Sequence, residues 1–373
     1  MTAKTRIGVL FGGRSGEHEV SLQSARSILA NLNPERFDVI QIAIDHAGRW
    51  YAGAQALIAL ESGDLGQLEP VTLLPEPGHN CLYRHSSAAG TDSLEKYADL
   101  DVVFPALHGT FGEDGTLQGM FELAGIAYVG AGVLGSAVGM DKGVFKSVML
   151  ANNLPILPAL VFTRNQVESE IEKVITAAEN ISAYPLFTKP ANLGSSVGIT
   201  KCRSRADIYE GLMEAARYDR RIIIEKGLSN AREIEVSVLG NDQPQASIPG
   251  EVVPGEDFYT YSAKYLSENS RLLIPAPLPA NKTAEIQQIA VAAYRAIDCA
   301  GMARVDFLVN ADDLTIYISE VNTIPGFTRI SMYPKLWEVS GLPYPALIER
   351  LVDLALQRKA ERDHTEFEYR RNP

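Results

Sequence analysis

The sequence predicts an α/β protein that begins with a parallel sheet and continues as two smaller α+β units. Three observations carry that expectation. Over the first ~135 residues, apolar runs of strand length alternate with stretches of helical period. From about residue 136 onward, strands flank loops rather than helices. The 373 residues are enough for two or three domains of ordinary size.

Taken in order, "RIGVLFG" and "FDVIQIAID" read as strands. The helix between them carries Leu22, Ala25, Ile28, Leu29 and Leu32 on one face. "DVVFPAL" is a third strand, "HGTFGEDG" its following loop, "TLQGMFELAG" a helix and "AYVG" a short strand. Residues 54–100 are rich in Gly, Pro and Ser, only weakly periodic, and read as an insertion. "SAVGMDKGVFKSVMLANN" reads as one helix. "ALVFT", a polar helix over 165–179, "YPLFTKP", a Gly-Ser loop, "VGITKC", a helix and "RIIIEKG" form the second unit. The third has "REIEVSVLG", a polar loop over 254–272, a helix over 280–299, and the strands "MARVDFLVN" and "LTIYISEVN" joined by "ADD". The amphipathic helix "YPALIERLVDLALQRKAER" closes it. The expected domains are 1–135, 136–230 and 231–373.

A net charge of −12 argues against nucleic acid and acidic membranes as partners, because both select a basic surface. It leaves room for an anionic small ligand held by local lysines and arginines. Cys81, Cys202 and Cys299 are far apart, odd in number and without C-x-x-C spacing, so neither disulfides nor a zinc site is expected. No signal peptide and no long apolar run is legible, and the expectation is a cytoplasmic globular protein.

The two late strands carry the most informative charges. Arg304 and Asp306 are two apart and share a face, and so do Glu320 and Asn322. Paired as a hairpin, the strands would gather three oxygen donors beside an arginine, a set that suits a hard cation such as Mg²⁺. A solvated sheet face with a structural ion pair is the alternative. The apolar residues between the charges weigh against it, since charges on a buried face need partners.

Elsewhere, "LFTKPANLGSSVGITKC" puts Lys189 at a strand end before a flexible turn with Gly194, Ser195, Ser196 and Gly198. Such a turn can offer N–H groups and hydroxyls to phosphate, or simply be a hairpin turn. "GAGVLG" matches G-x-G-x-x-G, but no acidic residue follows at the distance a dinucleotide site requires, so close packing at a helix start is the better reading. His108 follows a strand's carboxyl end, where open α/β sheets bind ligands. Glu113 and Asp114 read as a turn and helix-start pair. "EDFYTYSAKYLSENS", around Lys264 and Tyr265, is long and aperiodic like a lid, or like a plain surface loop. In "FGGRSGEHEVS", Gly12 and Gly13 turn the strand sharply and Glu17 falls in the first helical turn.

The order of these stretches resembles the D-alanine–D-alanine ligases of the ATP-grasp superfamily. "GGRSGEHEVSLQSA", "ALHGTFGEDGTLQG", "GMDKGVFK", "TKPANLGSSVG", "IIIEKGLSNAREIEVSVLGN", "FYTYSAKY", "ARVDF" and "SEVNTIPGFT" carry the likeness, which spans the chain except 54–100. The resemblance implies a three-domain ATP-grasp fold with a Rossmann-like N-terminal domain, and a homodimer. It implies ATP between the central and C-terminal domains. Lys142 and Lys189 would hold its phosphates, with Ser195, Ser196 and Lys264 also at the nucleotide. Glu225 with the Lys226 and Leu228 backbone would hold adenine, and Glu233 the ribose. Asp306, Glu320 and Asn322 would hold two Mg²⁺ or Mn²⁺ ions.

By the same resemblance, Glu17 would bind the first D-alanine's ammonium, with His108 nearby. Arg304 and the Gly326 N–H would act like an oxyanion hole. Ser331 and the Met332 N–H would hold the second carboxylate. Ser195 and Tyr265 would line up with Glu17 and close the lid, and Tyr265 favours D-alanine as second substrate. D-alanyl-D-lactate or D-alanyl-D-serine ligases, and other ATP-grasp carboxylate–amine ligases, share the pattern. A protein binding NAD through "GAGVLG", or a non-catalytic nucleotide-binding regulator, would not need Arg304, Asp306, Glu320 and Asn322 together.

Overall fold

The computed structural model describes residues 3–88, 91–194, 197–253 and 271–366. Its first unit is an eight-stranded sheet with strand order β6-β5-β4-β3-β2-β1-β7-β8. The chain runs through β1 (Thr5–Gly12), α1 (His18–Asn31), β2 (Phe37–Ile44), β3 (Trp50–Ala52), α2 (Ala56–Ser62) and β4 (Glu69–Leu73). β5 (Cys81–Ala88), β6 (Thr91–Asp99), β7 (Val102–Pro105), α3 (Thr116–Ala124) and β8 (Ala127–Tyr128) follow. β2, β1, β7 and β8 are mutually parallel, as the alternation predicts. Residues 54–100 are not a separate insertion: their strands β4 to β6 continue the same sheet from β3 in antiparallel fashion. They escaped sequence reading because β6 is exposed along its first six residues, which erases the alternation that marks a half-buried strand.

The second unit holds α4 (Val133–Met140), α5 (Lys142–Ala151), β9 (Ala159–Thr163), α6 (Arg164–Glu179), β10 (Leu186–Pro190), β11 (Thr200–Cys202), α7 (Arg205–Tyr218) and β12 (Arg221–Lys226). The predicted single helix is two. Asp141 leaves the helical conformation, at φ −82° and ψ 100°, and its carboxylate accepts the Gly143 and Val144 N–H groups. It therefore caps a fresh helix and puts Lys142 on its first turn. β9 to β12 form a four-stranded antiparallel sheet, ordered β11-β10-β12-β9. Val174, Ile208 and Leu212 on α6 and α7 bury one face against Leu186, Ile222 and Ile224. The other face looks into a cleft.

The third unit holds β13 (Ala231–Gly240), β14 (Gln245–Ala246), β15 (Gly250–Val253), β16 (Arg271–Leu273), α8 (Ala280–Ala296), β17 (Gly301–Asn310), β18 (Ile316–Asn322), α9 (Met332–Val339) and α10 (Tyr344–Arg362). Its sheet runs β16-β15-β13-β17-β18, with β14 beside β13. Arg271 and Leu272, read from sequence as loop, begin β16. Ile234, Val236, Val305, Phe307 and Val321 pack against Ile286, Ala290 and Tyr294 of α8. α10 crosses back to the first sheet, where Leu347, Leu351 and Val352 join the core of Ile7, Val9 and Phe104. "GAGVLG" is a packing motif: a Cβ on Gly135 would meet Asp298 O at 3.0 Å and Cys299 Cα at 3.2 Å. The three cysteines are free and buried. Among the described residues no helix is long and apolar enough to cross a membrane.

Candidate active site

Two connected spaces lie where the three sheets converge. A cleft of about 510 Å³ separates the four-stranded sheet from β13, β17 and β18. A narrow recess of about 50 Å³ continues from it toward the carboxyl end of the first sheet. Lys142 and Glu320 line both.

The outer cleft has apolar walls, Leu157, Phe187 and Leu308, and polar ends. The segment 226–229 crosses its far end, and Glu233 lies beside it. The Lys226 N–H donates to Pro158 O at 2.9 Å. Pro158 has no N–H to return, so the Lys226 carbonyl receives nothing from that strand. Further in, Lys189 Nζ lies 2.6 Å from Glu225 Oε2, and Lys146 Nζ pairs with Glu225 Oε1. Burial works against the Glu225 carboxylate, but the two ammonium groups outweigh it and hold its pKa down at about 2. Burial likewise disfavours the Lys189 ammonium, and Glu225 more than compensates, raising its pKa. Lys142 Nζ donates to Leu193 O at 2.8 Å and stands 3.6 Å from Glu320 Oε2.

The floor is the β17–β18 pair. Arg304 faces Asn322 and Asp306 faces Glu320 in register. Past Asp306 the register slips, and Phe307 pairs with Ile318. Ser319 is the extra residue of a bulge, and it changes the phase of β18. Ile316 and Ile318 are buried on the core side, and Glu320 and Asn322 emerge on the cleft side with Val321 buried between them. Arg304 grips Asp306 with two bonds of 2.7 Å, and its Nε lies 3.0 Å from Glu235. Asn322 Nδ2 donates to Asp306 Oδ2 at 2.9 Å.

The recess is built by the loops after β1 and β7. A Cβ on Gly12 (φ +90°) would stand 2.2 Å from Ile44 O, so only glycine lets the chain leave β1 there. Glu17 follows as the N-cap of α1, one residue ahead of the predicted first turn, and is buried. Its carboxylate is wedged between two glycines: Cβ atoms on Gly109 and Gly194 would lie 2.5 and 2.8 Å from Glu17 Oε2. Gly109 has φ +73°, so substitution there also strains the backbone, whereas Gly194 has a φ open to any residue. Gly194→Ala is therefore expected to displace Glu17 alone. For the ammonium ligand that the resemblance assigns to Glu17, it should raise the KM about tenfold (roughly 1.4 kcal/mol) and leave the melting temperature near that of the parent. Steady-state kinetics with a thermal melt check both.

His108 is buried with both nitrogens engaged. Nδ1 lies 2.9 Å from Ile324 O, which only accepts, so Nδ1 carries the proton and Nε2 accepts from Ser24 Oγ at 2.9 Å. Ser24 Oγ in turn accepts the Phe327 N–H at 3.3 Å. Burial lowers the His108 pKa against the pull of Glu17. Glu113 accepts the Gly109 N–H at 2.7 Å and the Ile324 N–H at 3.1 Å, tying the loop after β7 to the loop after β18. Burial and then Glu17 raise its pKa to about 8. Gly326 borders the recess. Ser331 precedes α9, and its hydroxyl accepts the Thr328 N–H at 3.0 Å, leaving the Met332 end of α9 beside it.

Glu17, His108, Lys142, Arg304, Glu320, Asn322 and Gly326 thus meet at the recess. Lys189, Glu225, Lys226, Leu228, Glu233 and Asp306 line the cleft. Ser195, Ser196, Lys264 and Tyr265 lie outside the described residues. Sequence reading missed Lys146, Glu235 and the bridging by Glu113. Glu235 had a signal in the alternation "EIE", and Lys146 in its position one helical turn after Lys142.

Two antiparallel sheets clasp a lysine-lined cleft with an acidic strand pair as its floor, the arrangement that the resemblance to the ATP-grasp ligases implies. Residues 6–131 match the family model described as D-ala D-ala ligase N-terminus, and 148–353 the one for its C-terminus. D-alanine–D-alanine ligases from Heliobacterium modesticaldum and Acetivibrio thermocellus are 50% and 47% identical, over 98% and 96% of this chain and 98% and 97% of theirs. The D-alanine–D-alanine ligase structure from Coxiella burnetii superposes with TM-score 0.82 at 37% identity, over 96% of both chains. The VanG D-Ala:D-Ser ligase from Enterococcus faecalis gives TM-score 0.82 at 33% identity, covering 95% of this chain and 100% of that one. The chain belongs to the D-alanine–D-alanine ligase family.

Proposed function

We infer that the protein joins two D-alanines in an ATP-dependent reaction, releasing ADP and phosphate and supplying D-alanyl-D-alanine for peptidoglycan precursors. The observation that carries the chemistry is the junction of recess and cleft at Lys142 and Glu320. A phosphate donor in the cleft and a carboxylate in the recess would meet there.

In this reading the Lys226 carbonyl and the Leu228 N–H take the adenine beside Glu225, Glu233 takes the ribose, and Lys142 and Lys189 take the phosphates, with Ser195, Ser196 and Lys264 at the nucleotide. Asp306, Glu320 and Asn322 offer oxygen donors without thiol or imidazole, a set that fits two Mg²⁺ or Mn²⁺ ions, which would neutralise phosphate charge. Glu17 holds the first D-alanine's ammonium beside His108. The carboxylate of that D-alanine would attack the γ-phosphorus, the bond to the bridging oxygen would break, ADP would leave and an acyl phosphate would form. The second D-alanine, its carboxylate on Ser331 and the Met332 N–H at the start of α9, attacks the acyl carbon with its amine. Arg304 and the Gly326 N–H face the oxyanion that forms, and phosphate leaves. Ser195 and Tyr265, in line with Glu17, exclude water that would hydrolyse the acyl phosphate.

The domain limits 1–135, 136–230 and 231–373, a cytoplasmic location and a homodimer belong to the same reading. Leu123, Val133 and Leu134, exposed on α3 and α4, supply an apolar surface for a second copy. Phosphate release from Mg²⁺-ATP, with D-alanine, L-alanine or D-lactate added, tests the function. Release that depends on D-alanine and yields dipeptide is expected; its absence sinks the reading.

A second reading, with D-serine or D-lactate as the second substrate, is kept open by the likeness to a D-Ala:D-Ser ligase. Tyr265 argues for D-alanine. Tyr265→Phe is expected to raise the share of depsipeptide when D-lactate competes with D-alanine, and an unchanged product ratio would count against that role.

A further inference from the structure

Lys146 is a buried lysine on the cleft's hidden side. α5 sets it one turn after Lys142, and it is only 5% exposed. It does not line the cleft, whereas Lys189 and Glu225 do. Both lysines reach the same carboxylate, but they do not compete. Lys146 Nζ pairs with Oε1 and Lys189 Nζ with Oε2, the latter at 2.6 Å. Glu225 itself is 3% exposed, so it needs a cation at all times. The triad of one anion and two cations carries a surplus positive charge, and the cation that faces open space is Lys189.

We propose that Lys146 is a positioning residue of the nucleotide cleft: its hold on Glu225 Oε1 lets Lys189 leave Oε2 and turn to a nucleotide phosphate. With Lys146 in place, Lys189 can swing away while Glu225 remains paired. Without it, Glu225 has Lys189 as its only partner in the triad. Moving Lys189 to a phosphate would then strand a buried carboxylate, and nucleotide binding bears that cost. Lys146 acts through Glu225 and touches no substrate. A merely structural ion pair would lower stability on mutation and leave nucleotide affinity alone.

The proposal rests on the reading that this cleft takes ATP, and the test separates the two. Binding of the ATP analogue AMPPNP with Mg²⁺ is measured by calorimetry on the full chain, beside steady-state KM values for ATP and D-alanine. Lys146→Met, close in length and uncharged, is expected to weaken AMPPNP at least about tenfold. It should raise the KM for ATP in parallel and leave the KM for D-alanine within about twofold. Lys146→Arg, which restores the charge, should return AMPPNP affinity to within about threefold of the parent. Should Lys146→Met not fold by circular dichroism, Lys146→Gln, which is neutral but able to donate a hydrogen bond, takes its place with the same expected loss. AMPPNP binding within twofold of the parent in the neutral variant overturns the role of Lys146, and so does equal weakening in the neutral and arginine variants. A parent protein that binds no AMPPNP overturns the ATP reading itself.

Discussion

Glu320→Ala is expected to abolish measurable turnover, lowering kcat by about 10³-fold or more (roughly 4 kcal/mol of transition-state stabilisation), while the protein stays folded. Glu320 is the residue at which recess and cleft join, opposite Asp306 and 3.6 Å from Lys142. Its side chain is 26% exposed and supports no part of the hydrophobic core, so its loss acts on the site rather than on the fold. Removal takes one of the anionic donors proposed for the metal and leaves Lys142 without that partner. Phosphate release at saturating ATP and D-alanine, with a thermal melt of the same sample, separates the two effects. Normal turnover in a folded variant would refute the metal assignment.

Arg304→Lys should lower kcat by about 10²-fold, although the charge is retained. The guanidinium holds both Asp306 oxygens at 2.7 Å and reaches Glu235 at 3.0 Å with the same planar group. An ammonium is a point charge on a flexible stem and cannot reproduce that fork. Asp306 would keep its bond from Asn322, but the positive charge facing the proposed oxyanion would lose its fixed direction. The loss should fall on kcat, with the KM for ATP close to the parent value, because the proposed interaction forms only as the tetrahedral species does. A kcat within threefold of the parent would remove Arg304 from the proposed oxyanion contact.

Why some of this was legible in the sequence and some was not follows from what periodicity can encode. Arg304, Asp306, Glu320 and Asn322 were readable because charges two apart in apolar strands must share a face. That Ile318 and Glu320, also two apart, lie on opposite sides was not readable, because the bulge at Ser319 is set by the pairing partner β17. The break at Asp141 was hidden because apolar residues on both sides keep helical spacing through it, and only the capping bonds to Gly143 and Val144 reveal it. β4 to β6 lacked a signal because much of their surface faces water. The spacing of Lys146 from Lys142 does not encode its burial, which comes from tertiary contact with Glu225. His108 was found by its place after a strand, but its proton on Nδ1 follows only from its partners Ile324 and Ser24.

The return of α10 to the first sheet has a consequence for how the chain is made. Leu347, Ile348, Leu351 and Val352 complete a core that β1 and α1 begin more than three hundred residues earlier. Arg36 pairs with Glu349 and Asp353, and Arg358 donates to the carbonyls of Tyr128 and Gly130, so polar bonds seal the same seam. During synthesis the first sheet therefore waits, with one apolar face only partly covered by α1, until α10 has left the ribosome. At about 5–20 residues per second, that interval lasts tens of seconds, long enough for chaperones to matter. The sheet that β1 begins cannot complete its core before α10 has been made.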